Sequence, residues 1–144
     1  MSKVDLALSC FKEGFLCSQA LLSTYGTELG LDRETALKIS AAFGGGFGRM
    51  GGICGAVSGA FMVVSLKYGH VKAEDGQAKD KTYGLVREFT DKFKSRNGSI
   101  TCRDLLDCDI STPEGLAQAK EKNLFSAVCP NFVLDAAEIV EQLL

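Results

Sequence analysis

Apolar residues recur along this chain at helical spacing almost from the first residue to the last. Val4, Leu6, Leu8 and Phe11 lead into Phe15, Leu16, Ala20, Leu21 and Leu22, which predicts two helical stretches hinged near Gly14. Gly26 and Gly30 bracket the end of that arm. Asp32 is a suitable N-cap for a third helix carrying Ala36, Leu37, Ile39 and Ser40 towards Phe43. Ile53 to Tyr68 is apolar nearly all round, as a central buried helix should be, and Gly69 stops it. From Asp75 to Arg96 the pattern is amphipathic: Tyr83, Val86, Phe89 and Phe93 share one face among lysines and acids, and Asn97-Gly98 closes the segment. Thr101 to Leu106 reads as a short turn. Thr112-Pro113-Glu114 starts another helix, with a Thr cap, proline at the first position and an early acid. The last helix opens at Cys129-Pro130 and buries Phe132, Val133, Ala136, Ile139, Val140 and Leu143. No alternating β run, repeat or long linker interrupts this order. The expected fold is all-α: one domain over residues 1–144, a bundle of six to eight helices around a central buried helix at about 53–68.

Composition narrows the function classes. The chain has 144 residues with 16 basic and 18 acidic side chains, so its net charge is −2. A charge of that sign argues against general nucleic-acid binding, which requires a basic surface to displace counterions. The longest uncharged stretch, Met50 to Leu66, contains four glycines and two serines. It reads as a buried helix with the loop leading into it, and no membrane span is expected. Asp5 interrupts the apolar run that an export signal would need, so the expected location is the cytoplasm.

In such a reducing compartment, six cysteines point to metal binding or redox chemistry more than to staples. Their placement sharpens the point. Cys17 lies in the first turn after the Gly14 hinge, Cys54 begins the central helix, Cys102 enters a short helix and Cys129 stands at or next to an N-cap. Helix N-termini present unpaired amides and partial positive charge, which favour a thiolate. Cys10 fits a small buried hydrophobe instead. The spacing excludes several familiar sites: there is no CxxC pair, as in zinc ribbons, and no CxxCH, so no covalently attached c-type haem. The single histidine, His70, follows a helix stop and reads as a solvated loop residue, which makes a Cys-His or Ser-His-Asp enzyme improbable.

The segment FGGGFGRMGG, residues 43–52, lacks the GK[ST] ending of a phosphate-binding loop, and no strand precedes it. Its first role is tight packing and flexible access to Cys54. Gly55 and Gly59, with Ala56 and Ala60, form a small-residue face on the following helix. The amides of Gly51, Gly52 and Ile53 are candidates to face the Cys54 sulfur or a cluster sulfide, with Arg49 and Arg103 as sources of positive charge.

FGGGFGRMGGICGAVSGAFM, the earlier Cys17, and the later CRDLLDCD and CPNFVLDAAEIVEQLL together resemble the C-GCAxxG-C-C family of redox-active proteins. The resemblance covers nearly the whole chain and implies four signature cysteines: Cys17, Cys54, Cys102 and Cys129. Cys108 would be their companion and an alternate ligand. The family is similar to the helical part of split-Soret cytochromes c, dimeric haem proteins with a cysteine-bound iron–sulfur centre. This implies an iron–sulfur cluster, most simply [2Fe–2S], and a homodimer, but without haem motifs no haem function carries over.

Three readings follow. In the first, four thiolates hold an iron–sulfur cluster that exchanges electrons with a redox partner protein; zinc suits the same soft ligands. In the second, a metal-free thiol–disulfide oxidoreductase uses Cys54 as the attacking thiolate, with Cys17, Cys102 or Cys129 resolving. In the third, the cysteines pack within a noncatalytic helical interaction module. A Cys17–Cys54 disulfide is a further option under oxidising conditions.

Overall fold

Ser2 opens the first helix by a reciprocal cap: its hydroxyl accepts the Asp5 amide, while the Asp5 carboxylate accepts the Ser2 amide. From there the computed structural model, which describes residues 1–144, runs through ten α-helical segments, with 3-10 turns at Thr27–Leu29 and Ala41–Phe43, and no strand. In chain order these are α1 (Lys3–Lys12), α2 (Cys17–Gly26), α3 (Arg33–Ser40), α4 (Gly44–Phe47), α5 (Gly55–Tyr68), α6 (Gly76–Asn97), α7 (Cys102–Leu106), α8 (Pro113–Glu121), α9 (Leu124–Ala127) and α10 (Cys129–Leu143). Eight have five residues or more; α4 and α9 are single turns. The sequence-based caps hold at Asp32 and Thr112, whose side chains accept amides of α3 and α8, and Asp75 and Thr101 cap α6 and α7 in the same way. No single helix is long and apolar enough to cross a membrane.

Helix α5 is the centre, buried along Gly55–Ala60 and again at Val63 and Val64. It packs on α2, α6 and α10. Small residues set its distance from α2. A Cβ added at Gly59 would stand 2.9 Å from the Leu21 Cβ and 2.9 Å from the Ser18 carbonyl oxygen. One at Gly55 would stand 3.2 Å from the Ser18 nitrogen and 3.3 Å from the Cys17 Cβ. The two glycines thus let the helices nearly touch along their backbones, and that approach carries Cys17 towards the start of α5. The Ser18 hydroxyl donates to the Ser40 carbonyl (2.8 Å), so the buried hydroxyl is satisfied and α2 is tied to the end of α3. On the far side, Phe61, Phe89, Phe93 and Phe132 form a chain of ring contacts joining α5, α6 and α10.

Two boundaries differ from the sequence pattern. The central helix begins at Gly55, with Cys54 extended as its N-cap, because Ile53 is held in an antiparallel bridge to Thr101. On α6 the buried residues are Thr82, Phe89 and Phe93, whereas Tyr83 is 55% exposed. The helix needs only a narrow apolar stripe here, and Thr82, whose hydroxyl donates to the Ala78 carbonyl, fills the position one turn before Val86 and two turns before Phe89.

Candidate functional site

Two backbone devices bring the site together. The first is a left-handed turn. Gly45, Gly46, Phe47, Gly48 and Arg49 have φ of 68°, 70°, 64°, 59° and 67° in succession. Glycine adopts such angles freely, but each L-residue there costs about 1–2 kcal/mol. Phe47 and Arg49 are therefore strained, and contacts hold them: Phe47 packs edge-on against Phe43 (ring centroids 5.7 Å), and the Arg49 stem lies against Gly45. The Arg49 amide donates to the Gly44 carbonyl (3.2 Å), and the Gly51 and Gly52 amides donate to the carbonyls of Gly45 (3.2 Å) and Gly46 (2.9 Å).

The second device is the bridge at Ile53 and Thr101. The Cys54 amide donates to the Ile100 carbonyl and the Cys102 amide to the Gly52 carbonyl, each at 2.7 Å. Side chains alternate along extended backbone, so Cys54 and Cys102 leave the same face of the bridge as diagonal neighbours, with Cα atoms about 7–8 Å apart. Cys17 and Cys129 arrive as the first residues of α2 and α10.

All four cysteines line one cavity of about 700 Å³. Its other walls include the half-buried rings of Phe11, Phe15 and Phe125, the buried ring of Phe132, and the glycines of the left-handed turn. Cys54, Cys102 and Cys129 are buried and Cys17 half-buried; none is in a disulfide. Cys10 sits apart, buried against the Ser23 hydroxyl at 3.6 Å. Cys108 does not reach the cavity wall: half-buried, it donates from sulfur to the Gly115 carbonyl (3.2 Å).

The thiols are not equivalent. The Cys17 thiol beside it holds the Cys129 thiol below its ordinary pKa, although burial opposes this. The same pairing with Cys129 raises Cys17 well above the usual thiol range, with burial and the nearby Cys54, Cys129 and Cys102 adding to it. Burial pushes Cys54 up to about 11, against the pull of the Ala56 and Val57 amides. Burial also pushes Cys102 up to about 12, helped by Cys54, Cys129 and Cys108. Helix N-termini were expected to favour thiolates at all four; desolvation and mutual repulsion outweigh the amides at three.

Several sequence expectations are corrected by this geometry. The amides of Gly51 and Gly52 are bound within the left-handed turn, and neither residue nor Ile53 lines the cavity; the amides beside Cys54 belong to Ala56 and Val57. Arg49 does line the cavity, but Arg103 turns to Asp109 (3.3 Å). His70, by contrast, is exposed and away from the site, as its place after a helix stop predicts. Sequence reasoning missed Lys12 and the aromatic walls. A signal was present: Phe125 and Phe132 stand four residues before and three after Cys129, the spacing that places side chains on one helical face.

A scan against protein families matches residues 15–143 to the family described as "Putative redox-active protein (C_GCAxxG_C_C)". The chain belongs to this family. Comparisons with curated proteins and with solved structures give no match. In this member the family's glycine motif has a physical reading. Gly55 and Gly59 of CGAVSG, residues 54–59, leave no room for a side chain against α2, so the string that follows Cys54 also positions Cys17.

Proposed function

We propose that the cavity is a redox centre in which Cys17, Cys54, Cys102 and Cys129 are thiolate ligands of an iron–sulfur cluster, most simply [2Fe–2S], exchanging electrons with a partner protein. One observation carries this reading: four thiols from four separate segments face one void with no other metal-ligating side chain on its wall. Soft sulfur donors are the set such clusters take. No group of three or more His, Cys, Asp or Glu side chains is arranged to hold a single metal ion. Zinc, with four bonds of about 2.3 Å to one centre, would draw on the same four thiolates. A bound cluster supplies one-electron transfer. The chain's own residues exclude water with Phe132, Leu105 and Leu106, and offer cationic side chains, Lys12 and Arg49, to balance anionic sulfur. The high pKa of Cys54 and Cys102 means that ligation displaces protons, so cluster assembly should be favoured by rising pH.

The pairing of Cys17 with Cys129 on one cavity wall favours a second reading, a dithiol. Here the Cys129 thiolate attacks a disulfide of a partner, releasing one partner thiol, and Cys17 then displaces the other to leave a Cys17–Cys129 disulfide. Two electrons and two protons pass to the partner. The attacking group is Cys129 rather than Cys54, whose buried thiol stays protonated at neutral pH.

Iron and acid-labile sulfide analysis of protein purified without oxygen separates the two. The cluster reading expects both in equal amounts with a visible charge-transfer spectrum, lost in Cys54→Ser. Colourless, iron-free protein after reconstitution with iron and sulfide would overturn it and leave the dithiol.

A further inference from the structure

The cavity is larger and more selective than a sulfur site alone requires. At about 700 Å³ it falls in the range of pockets that enclose small organic ligands, whereas an inorganic core of a few atoms fills only a fraction of it. Its walls are aromatic on two sides, with Phe11 and Phe15 flanking the Gly14 hinge and Phe125 and Phe132 flanking Cys129. The rings of Phe11, Phe15 and Phe125 are only half-buried, so apolar surface faces open space. The charge is one-sided. Lys12 and Arg49 are the only charged residues on the wall, both are exposed, and neither has a carboxylate within 4.0 Å. Arg33 adds a third cation by stacking over the Phe15 ring at 5.4 Å. This local excess stands out in a chain whose net charge is −2.

Arg49 is also held there at a cost. Its φ of 67° is strained for an L-residue, and its stem lies over Gly45, where a Cβ would stand 2.9 Å from the Arg49 Cγ. Strain of this kind persists where the surrounding structure enforces it, often at binding sites. We infer that the cavity binds a small organic anion with a flat apolar body: the body lies among Phe11, Phe15 and Phe125, and the anionic group meets Lys12 and Arg49. This deepens the redox reading and rests on it only for the ligand's role as the substrate beside the thiols; binding itself requires no metal.

The test is calorimetric titration of the full chain, metal-free and reduced, with 2-naphthoate and its neutral counterpart 2-naphthamide at low salt. Naphthoate is expected to bind at least tenfold more tightly. In Lys12→Gln/Arg49→Asn the preference should fall below threefold while the affinity for naphthamide holds; asparagine tolerates the left-handed backbone at position 49. Phe15→Ala should weaken both ligands. Equal affinities, or no saturable binding of either, would overturn the proposal and leave the cations to balance sulfur charge alone. Iron and sulfide content is read separately, so a failed cluster assay with selective naphthoate binding, or the reverse, identifies which idea has failed.

Discussion

Cys129 is the one cavity cysteine held below the ordinary thiol range. The Cys17 thiol beside it stabilises negative charge on its sulfur, whereas burial outweighs the Ala56 and Val57 amides at Cys54, and burial with like charge raises Cys102. At a pKa of about 11, Cys54 is ionised to roughly one part in ten thousand at pH 7. Alkylation of metal-free, reduced protein with limiting iodoacetamide at pH 7.5, read by peptide mass spectrometry, should therefore label Cys129 before Cys54 and Cys102. Cys17→Ala removes that thiol and should slow Cys129 several-fold, while Cys17→Ser, which retains a donor, should slow it less. Cys54 reacting first would show that the Cys17 thiol does not govern reactivity. The sequence disclosed that each of these residues begins a helix, but not which thiols face each other, since residues 17 and 129 meet only through the packing of α2, α5 and α10.

At the scale of elements, glycines with the same chemistry have opposite consequences. Gly59 lies in the α2–α5 contact, and a methyl there meets Leu21 and the Ser18 backbone at 2.9 Å. Gly84 lies on α6 with nothing within 4 Å of the added carbon. Gly59→Ala should thus destabilise the fold by about 1–3 kcal/mol, as over-packing does. Gly84→Ala should stabilise it by about 0.5–1 kcal/mol through helix propensity. Urea unfolding followed by circular dichroism checks both, and a neutral Gly59→Ala would remove the close-approach account of the motif. The periodicity disclosed the helices and the small-residue face. It did not disclose the left-handed turn at residues 45–49, because a glycine-rich string permits many backbone paths and only the carbonyl partners at Gly44, Gly45 and Gly46 select this one.

For the molecule as a whole, the buried thiols make stability depend on alkaline pH. Cys54 and Cys102 have folded pKa values raised to about 11 and about 12, so between the ordinary thiol range near 8.5 and those values the unfolded chain releases protons that the folded chain retains. The stabilisation is complete below the unfolded pKa and is lost as pH rises through the folded one. Tyr25, raised by burial and by its hydrogen bond to Glu141, acts in the same direction at higher pH. Metal-free protein should lose stability progressively from about pH 9 to pH 12, with Cys54 alone contributing about 3 kcal/mol. Thermal melts across that range check this: Cys54→Ala should flatten the slope, and a wild-type melting temperature constant to pH 11 would contradict it.

Local physics made much of this protein readable in one dimension. Helix identity follows from apolar spacing, helix starts from capping at Asp32 and Thr112, and the family from the strings around Cys54, Cys102 and Cys129. Each depends on residues within a few positions of one another, or on the identity of the residues alone. The common cavity, the bridge that sets Cys54 beside Cys102, the pairing of Cys17 with Cys129 and the cationic side supplied by Lys12 and Arg49 depend on segments up to more than a hundred residues apart. Only the tertiary structure decides them, because desolvation, charge and direction at a site are set by what folds against it.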